Sequence, residues 1–108
     1  MVVKSVTSYE EFKQIIEGDR VAAFDFWATW CGPCKMIGPV FEKLSESEQF
    51  KNVDFYKVDV DEQEQIAAEV GIKAMPTFTV FKGGDKLGST VGADPKKLQA
   101  LIETHVDA

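Results

Sequence analysis

An apolar run, Val21-Ala22-Ala23-Phe24-Asp25-Phe26-Trp27, leads into a turn that holds both cysteines of the chain, Cys31-Gly32-Pro33-Cys34. Beyond the turn, Ile37, Val40, Phe41 and Leu44 recur at the spacing of a helix with one buried face. Strand, turn and helix are therefore expected in immediate succession, with Cys31 and Cys34 at the junction. A separation of three at a helix start puts two side chains on one side, about one turn apart. A disulfide can close across that gap if the local backbone allows it. Any fold for this chain has to bring a strand end against a helix start here.

Two sulfurs so placed can form a fixed staple, contribute to a metal site, or shuttle between dithiol and disulfide. A bridge over so short a loop would constrain the unfolded chain little. Structural zinc takes four ligands, and beyond the pair the chain offers no cysteine and one distant histidine, His105. No metal site is expected. The shuttle reading fits the electrostatics, because a helix N-terminus gathers unpaired N–H groups and partial positive charge that favour a thiolate. Lys35 adds a cation. Cys31 lies nearest the open end and is expected to be the exposed nucleophile. Cys34, one turn inside, is expected to be the buried thiol that resolves a mixed disulfide.

A chain of 108 residues supports one domain, 1–108, with a core that needs no staples. Its net charge of −6 argues against nucleic acid as a partner, since phosphate binding needs clustered Lys and Arg. Glu10 and Glu11 interrupt the N-terminal residues before an apolar stretch of signal-peptide length, and no run long enough to span a membrane follows. One close cysteine pair suits a reducing compartment, so a cytoplasmic location is expected.

In chain order, residues 2–6 predict a short strand, and Ser8-Tyr9-Glu10-Glu11 a capping box opening a helix that Gly18 closes. Val21–Trp27, apolar on both faces, reads as a central strand covered on each side. Pro39 falls inside the helix after the turn and is expected to kink it. Val53 to Val58 predicts the third strand; Asp61 is expected to cap a third helix, with Glu64 reaching back and Gly71 ending it. Thr77 to Phe81, Gly83-Gly84 and Lys86 to Val91 read as a hairpin, and Asp94-Pro95 opens the last helix. The order βαβαβαββα predicts an α/β fold with a mixed sheet between helices.

Trp30-Cys31-Gly32-Pro33-Cys34-Lys35 within this strand–turn–helix resembles the thioredoxin family, and the likeness runs over essentially the whole chain with the same element order. Met75 before Pro76 is similar to eukaryotic cytosolic members; Ala74 stands where some of those carry a further cysteine, which closes off a disulfide-linked dimer there. The resemblance implies a thioredoxin fold, a mixed five-stranded sheet flanked by four helices. It further implies a monomeric protein disulfide reductase, recycled by an NADPH-dependent thioredoxin reductase, acting on disulfide-containing proteins and holding no cofactor itself. Gly-Pro between the cysteines favours this over an isomerase- or oxidase-type domain. A redox-dependent interaction module is a separate reading that the same surface would serve.

Further residues gain roles by the same route. Asp25 stands in an apolar strand, where an ionised carboxylate is costly without a partner; the family has a buried acid there that relays a proton to or from Cys34. Burial should raise its pKa. Lys57 reads by pattern as a solvated lysine or a partner for Asp25, and the resemblance favours the partner. It also implies a cis bond before Pro76, Met75 backbone pairing with an extended target segment, and a docking rim of Trp30, Gly32, Pro33, Met75, Pro76, Gly92 and Ala93. Trp27 is expected to be packing, and His105 to favour a helix end without a catalytic role.

Overall fold

The fold is built outward from β2 (Val21–Trp27), whose first six residues are buried. The structure is a computed structural model describing residues 2–108. In order it contains β1 (Val3–Ser5), α1 (Tyr9–Ile16), β2, α2 (Gly32–Ser45), a single 3-10 turn (Glu48–Phe50), β3 (Val53–Asp59), α3 (Glu64–Val70), β4 (Thr77–Lys82), β5 (Asp85–Val91) and α4 (Pro95–His105). The strands lie side by side as β1-β3-β2-β4-β5. β2 runs parallel to β3 and antiparallel to β4, so the strand that leads into the cysteine turn is the middle of a mixed sheet. This is the thioredoxin fold expected from the sequence. No helix among the described residues is long and apolar enough to cross a membrane.

Alternation along β2 divides the core. Val21 and Ala23 point toward Ile37 and Phe41 of α2 and Leu98 and Ile102 of α4, together with Phe55, Phe78 and Val80 of the neighbouring strands. Ala22, Phe24 and Phe26 point the other way, toward Phe12 and Ile16 of α1 and Ile66 of α3. Phe24 is fully buried, with its ring 5.2 Å from Phe12, 5.4 Å from Tyr56 and 5.7 Å from Phe81. Asp25 falls in the first of these two sets, on the α2 side.

The local signals act largely as their chemistry dictates. The Ser8 side chain accepts the Glu11 N–H, but the Glu11 carboxylate reaches the Thr7 N–H at 2.7 Å instead of the cap residue's own. Asp94 accepts from Lys96 and Lys97 at the head of α4. Gly83 and Gly84 take φ of 60° and 86°, the doubly left-handed turn that suits the twist of a two-residue hairpin. Helix α2 continues through Pro39.

Two expected ends differ. Asp61 does not cap α3: the helix begins after Gln63, which makes no side-chain cap, and Asp59 Oδ1 takes the Asp61 and Glu62 N–H groups. Asp59 ends β3 and is already aimed at those amides, while the Asp61 side chain is engaged elsewhere. Glu17 ends α1 in ordinary helical conformation, φ −83°, and Gly18 follows without the left-handed geometry that Gly71 adopts at φ 82°. Truncation of Phe24 to Ala leaves a cavity where three rings meet and is expected to cost about 3–5 kcal/mol. Loss of the Asp94 cap in Asp94→Ala is expected to cost only about 1 kcal/mol; urea unfolding of both variants checks the ranking.

Candidate active site

The turn after β2 is tied down before the helix starts: Cys31 N–H donates to Ala28 O at 3.1 Å, and Ala28 is fully buried. Cys31 is the N-cap of α2, in extended conformation with φ −91° and ψ 104°. Its Sγ accepts the Cys34 N–H at 3.2 Å. The sulfur thus occupies the place that a Ser or Asp oxygen usually takes, among amides with no helical partner. Gly32 and Pro33 fill the first helical positions, and Pro33 lacks the N–H that would be orphaned there. Cys31 and Cys34 form a disulfide with Cα atoms 5.3 Å apart.

The expected contrast in exposure is absent in this oxidised form. Cys31 is 5% exposed and Cys34 4%. With the sulfurs joined, Cys31 is turned inward onto Ala28 and Cys34, and half-buried Trp27, Val60 and Met75 close around all three. Exposed Trp30, Gly32 and Pro33 flank Cys31 along the chain, as exposed Pro33 and Lys35 flank Cys34.

Beside Cys34 is a pocket of about 240 Å³ lined by Asp25, Trp27, Cys34 and Lys57, together with Lys35 and Glu42 of α2. Asp25 is buried, and its Oδ1 has no hydrogen-bond partner. Burial pushes its pKa up to about 7, and the Lys57 charge opposes the rise. Asp25 and Lys57 are directly opposite in the β2–β3 register. No salt bridge joins them; among the described residues the ion pairs are Lys13–Glu69 and Arg20–Asp54. Lys57 Nζ lies instead over the Trp27 ring, 5.7 Å from its centroid.

The remaining rim residues come from three separate loops. The Met75–Pro76 bond is cis, Pro76 is buried, and Met75 packs against the cysteine cluster. Gly92 N–H donates to Pro76 O at 2.9 Å, with Gly92 at φ 106°, so the loop carrying Gly92 and exposed Ala93 is bound to the proline loop. A side chain at Gly92 would be strained by that backbone. Trp30 is 66% exposed and its indole N–H donates to Asp61 Oδ2 at 2.9 Å. The site residue missed from sequence is Asp61, as the anchor of Trp30; Met36 of α2 is 78% exposed. Met36 sits off the Ile37–Phe41 stripe, a position that spacing alone marks as outward. His105 ends α4 against Gly88, where an added Cβ would lie 2.7 Å from its Nε2. Among the described residues no cluster of three or more His, Cys, Asp or Glu side chains is placed to hold a metal.

Comparison with known proteins bears on this geometry directly. The family model described as Thioredoxin matches residues 2–104. The thioredoxin of Malassezia sympodialis is 64% identical over 103 residues, covering 95% of this chain and 98% of that protein. Thioredoxin-1 of Schizosaccharomyces pombe is 47% identical over 105 residues, covering 97% and 100%. The crystal structure of Malassezia sympodialis thioredoxin superposes with a TM-score of 0.94 at 62% identity, covering 98% of this chain and 95% of that one. With a redox pair at a helix start, a matching fold and relatives of this identity, the chain belongs to the thioredoxin family, of eukaryotic type, and is a dithiol–disulfide oxidoreductase that reduces protein disulfides.

Proposed function

We propose that Cys31 is the attacking thiolate, Cys34 the resolving thiol and Asp25 the group that moves the proton between them and solvent. The observation that supports this most is the 3.2 Å hydrogen bond from the Cys34 N–H to Cys31 Sγ at the start of α2. In the reduced protein that amide, with the helix terminus behind it, favours the anionic form of Cys31. The Cys31 thiolate attacks one sulfur of a target disulfide. A Cys31–target bond forms, the target's S–S bond breaks, and the other target sulfur leaves as a thiolate. Asp25 carboxylate then takes the Cys34 thiol proton, directly or through water in the shared pocket. Cys34 thiolate attacks Cys31 sulfur, the Cys31–Cys34 bond forms, and the second target sulfur departs to be protonated. Two electrons pass to the target.

The same reading assigns the docking surface to Trp30, Gly32, Pro33, Met75, Pro76, Gly92 and Ala93, with Met75 backbone groups pairing to an extended target segment. Lys57 tunes Asp25. The exchange chemistry needs no bound cofactor; the oxidised pair is returned to dithiol by a thioredoxin reductase drawing on NADPH. The chain works as one domain and as a monomer, in the cytoplasm. Its two cysteines, both used in one exchanging pair, suit a reducing compartment.

Cys34→Ser leaves the attacking sulfur but removes the resolving one. It is expected to accumulate covalent complexes with many target proteins, which reductant dissolves; absence of such complexes contradicts the assigned roles. Asp25→Asn is expected to slow disulfide exchange near neutral pH while stabilising the fold. Asp25 binds its proton more tightly folded than unfolded, so its contribution to stability is full below about pH 4 and falls away as pH rises to about 7. The stability advantage of Asp25→Asn should therefore grow across that window and level off above it, reaching on the order of a few kcal/mol. Denaturant unfolding of both proteins at pH 4, 6 and 8 checks the sign.

A further inference from the structure

Strand register places Asp25 and Lys57 side by side, an arrangement in which a buried carboxylate and an ammonium offset each other's desolvation. Yet Asp25 Oδ1 is without a partner. The ammonium is over Trp27 instead, at a distance where a cation and an aromatic face attract. Trp27 lies two residues beyond Asp25 in the same strand, so both project from one face of β2. One lysine therefore has two candidate partners, a carboxylate opposite it in the strand register and a ring. On its other side, Lys57 and Trp27 also line a second pocket with Ser5, Thr7, Asp59 and Glu62.

We propose that Trp27 is a positioning residue for the proton relay: its indole face captures the Lys57 ammonium and keeps it from pairing with the Asp25 carboxyl beside Cys34. The charged groups around that carboxyl are few. Lys57 faces it from β3, Lys35 and Glu42 line the same pocket from α2, and β4 presents Phe78. Lys57 is the one cation whose field registers on Asp25, and it acts downward against the effect of burial. An ammonium brought against the carboxylate would hold it ionised through neutral pH and make it a weaker base toward the Cys34 thiol. Packing was the expected role of Trp27; holding a cation at a set distance is a further one. Its functional consequence rests on the Asp25 relay described above.

The test is a pH titration of the Asp25 carboxyl carbon by NMR in the oxidised chain, the signal being assigned by its loss in Asp25→Asn. Disulfide-bonded cysteines do not titrate, so the curve reports the carboxyl. Trp27→Leu is expected to lower the Asp25 midpoint by on the order of one unit as Lys57 moves onto it. Trp27→Phe, which keeps a ring face, should lower it less. In a Lys57→Met background, Trp27→Leu should leave the midpoint where Lys57→Met alone puts it. An equal fall with and without Lys57 would mean that water entering the pocket causes it, and would overturn the proposal. An unchanged midpoint in Trp27→Leu with Lys57 present would overturn it too. Should Trp27→Leu not fold, Trp27→Phe with and without Lys57→Met decides by the same comparison. Failure of the relay itself reads out separately, as wild-type exchange rates in Asp25→Asn, and leaves this titration untouched.

Discussion

The contact between the Cys34 amide and the Cys31 sulfur depends on a helix starting at one residue and no other. Amides in a helix interior are spent on carbonyls; only the first few point outward unpaired. Ser8 and Asp94 satisfy theirs with oxygen in this same chain. At α2 the cap is sulfur, so the energy that elsewhere fixes a helix end here acts on a reactive atom. That placement is inherited from the core. β2 is held by neighbours on both edges and covered on both faces, and Ile37 and Phe41 fasten α2 to it. The electrostatics of the sulfur are therefore as rigid as the sheet beneath it.

A carboxyl in the middle of that sheet opposes stability, and its position accounts for keeping it. Every other buried residue of β2 is apolar. Asp25 faces a pocket shared with Cys34, close to where a proton has to leave when the second sulfur becomes a nucleophile. Burial puts its proton affinity near neutrality, where a group can both take and return a proton. A fully paired carboxylate would stabilise the fold more and serve this step less. The apolar pocket wall and the diversion of Lys57 toward Trp27 keep the group in the useful range.

Much of this was legible because the decisive signals are local. The apolar run of β2, the Gly83-Gly84 turn and the Asp94-Pro95 start each express backbone or side-chain preferences within a few residues, and each element formed where expected. Asp25 stood out as a charge among Phe and Ala. What sequence did not disclose are choices between distant partners. Asp61 has the chemistry of a helix cap, but Trp30, far away in the chain, takes its carboxylate, and Asp59 takes the amides. The 3-10 turn at Glu48–Phe50 follows from Ser47 capping a segment too short to show a period. Cys31 is covered by Val60 and Met75, which arrive from other loops. The place of Lys57 is likewise a competition between two neighbours that pattern alone cannot rank.

Disulfide exchange by this chain depends on how readily the first sulfur becomes an anion. Reduced protein can be alkylated with iodoacetamide over a range of pH, and the rate at Cys31 followed by peptide mass against free cysteine under the same conditions. A thiolate favoured by the α2 terminus predicts that Cys31 reacts faster at neutral pH, with a rate midpoint below the ordinary value of about 8.5. A rate profile matching free cysteine, with no displaced midpoint, would contradict it.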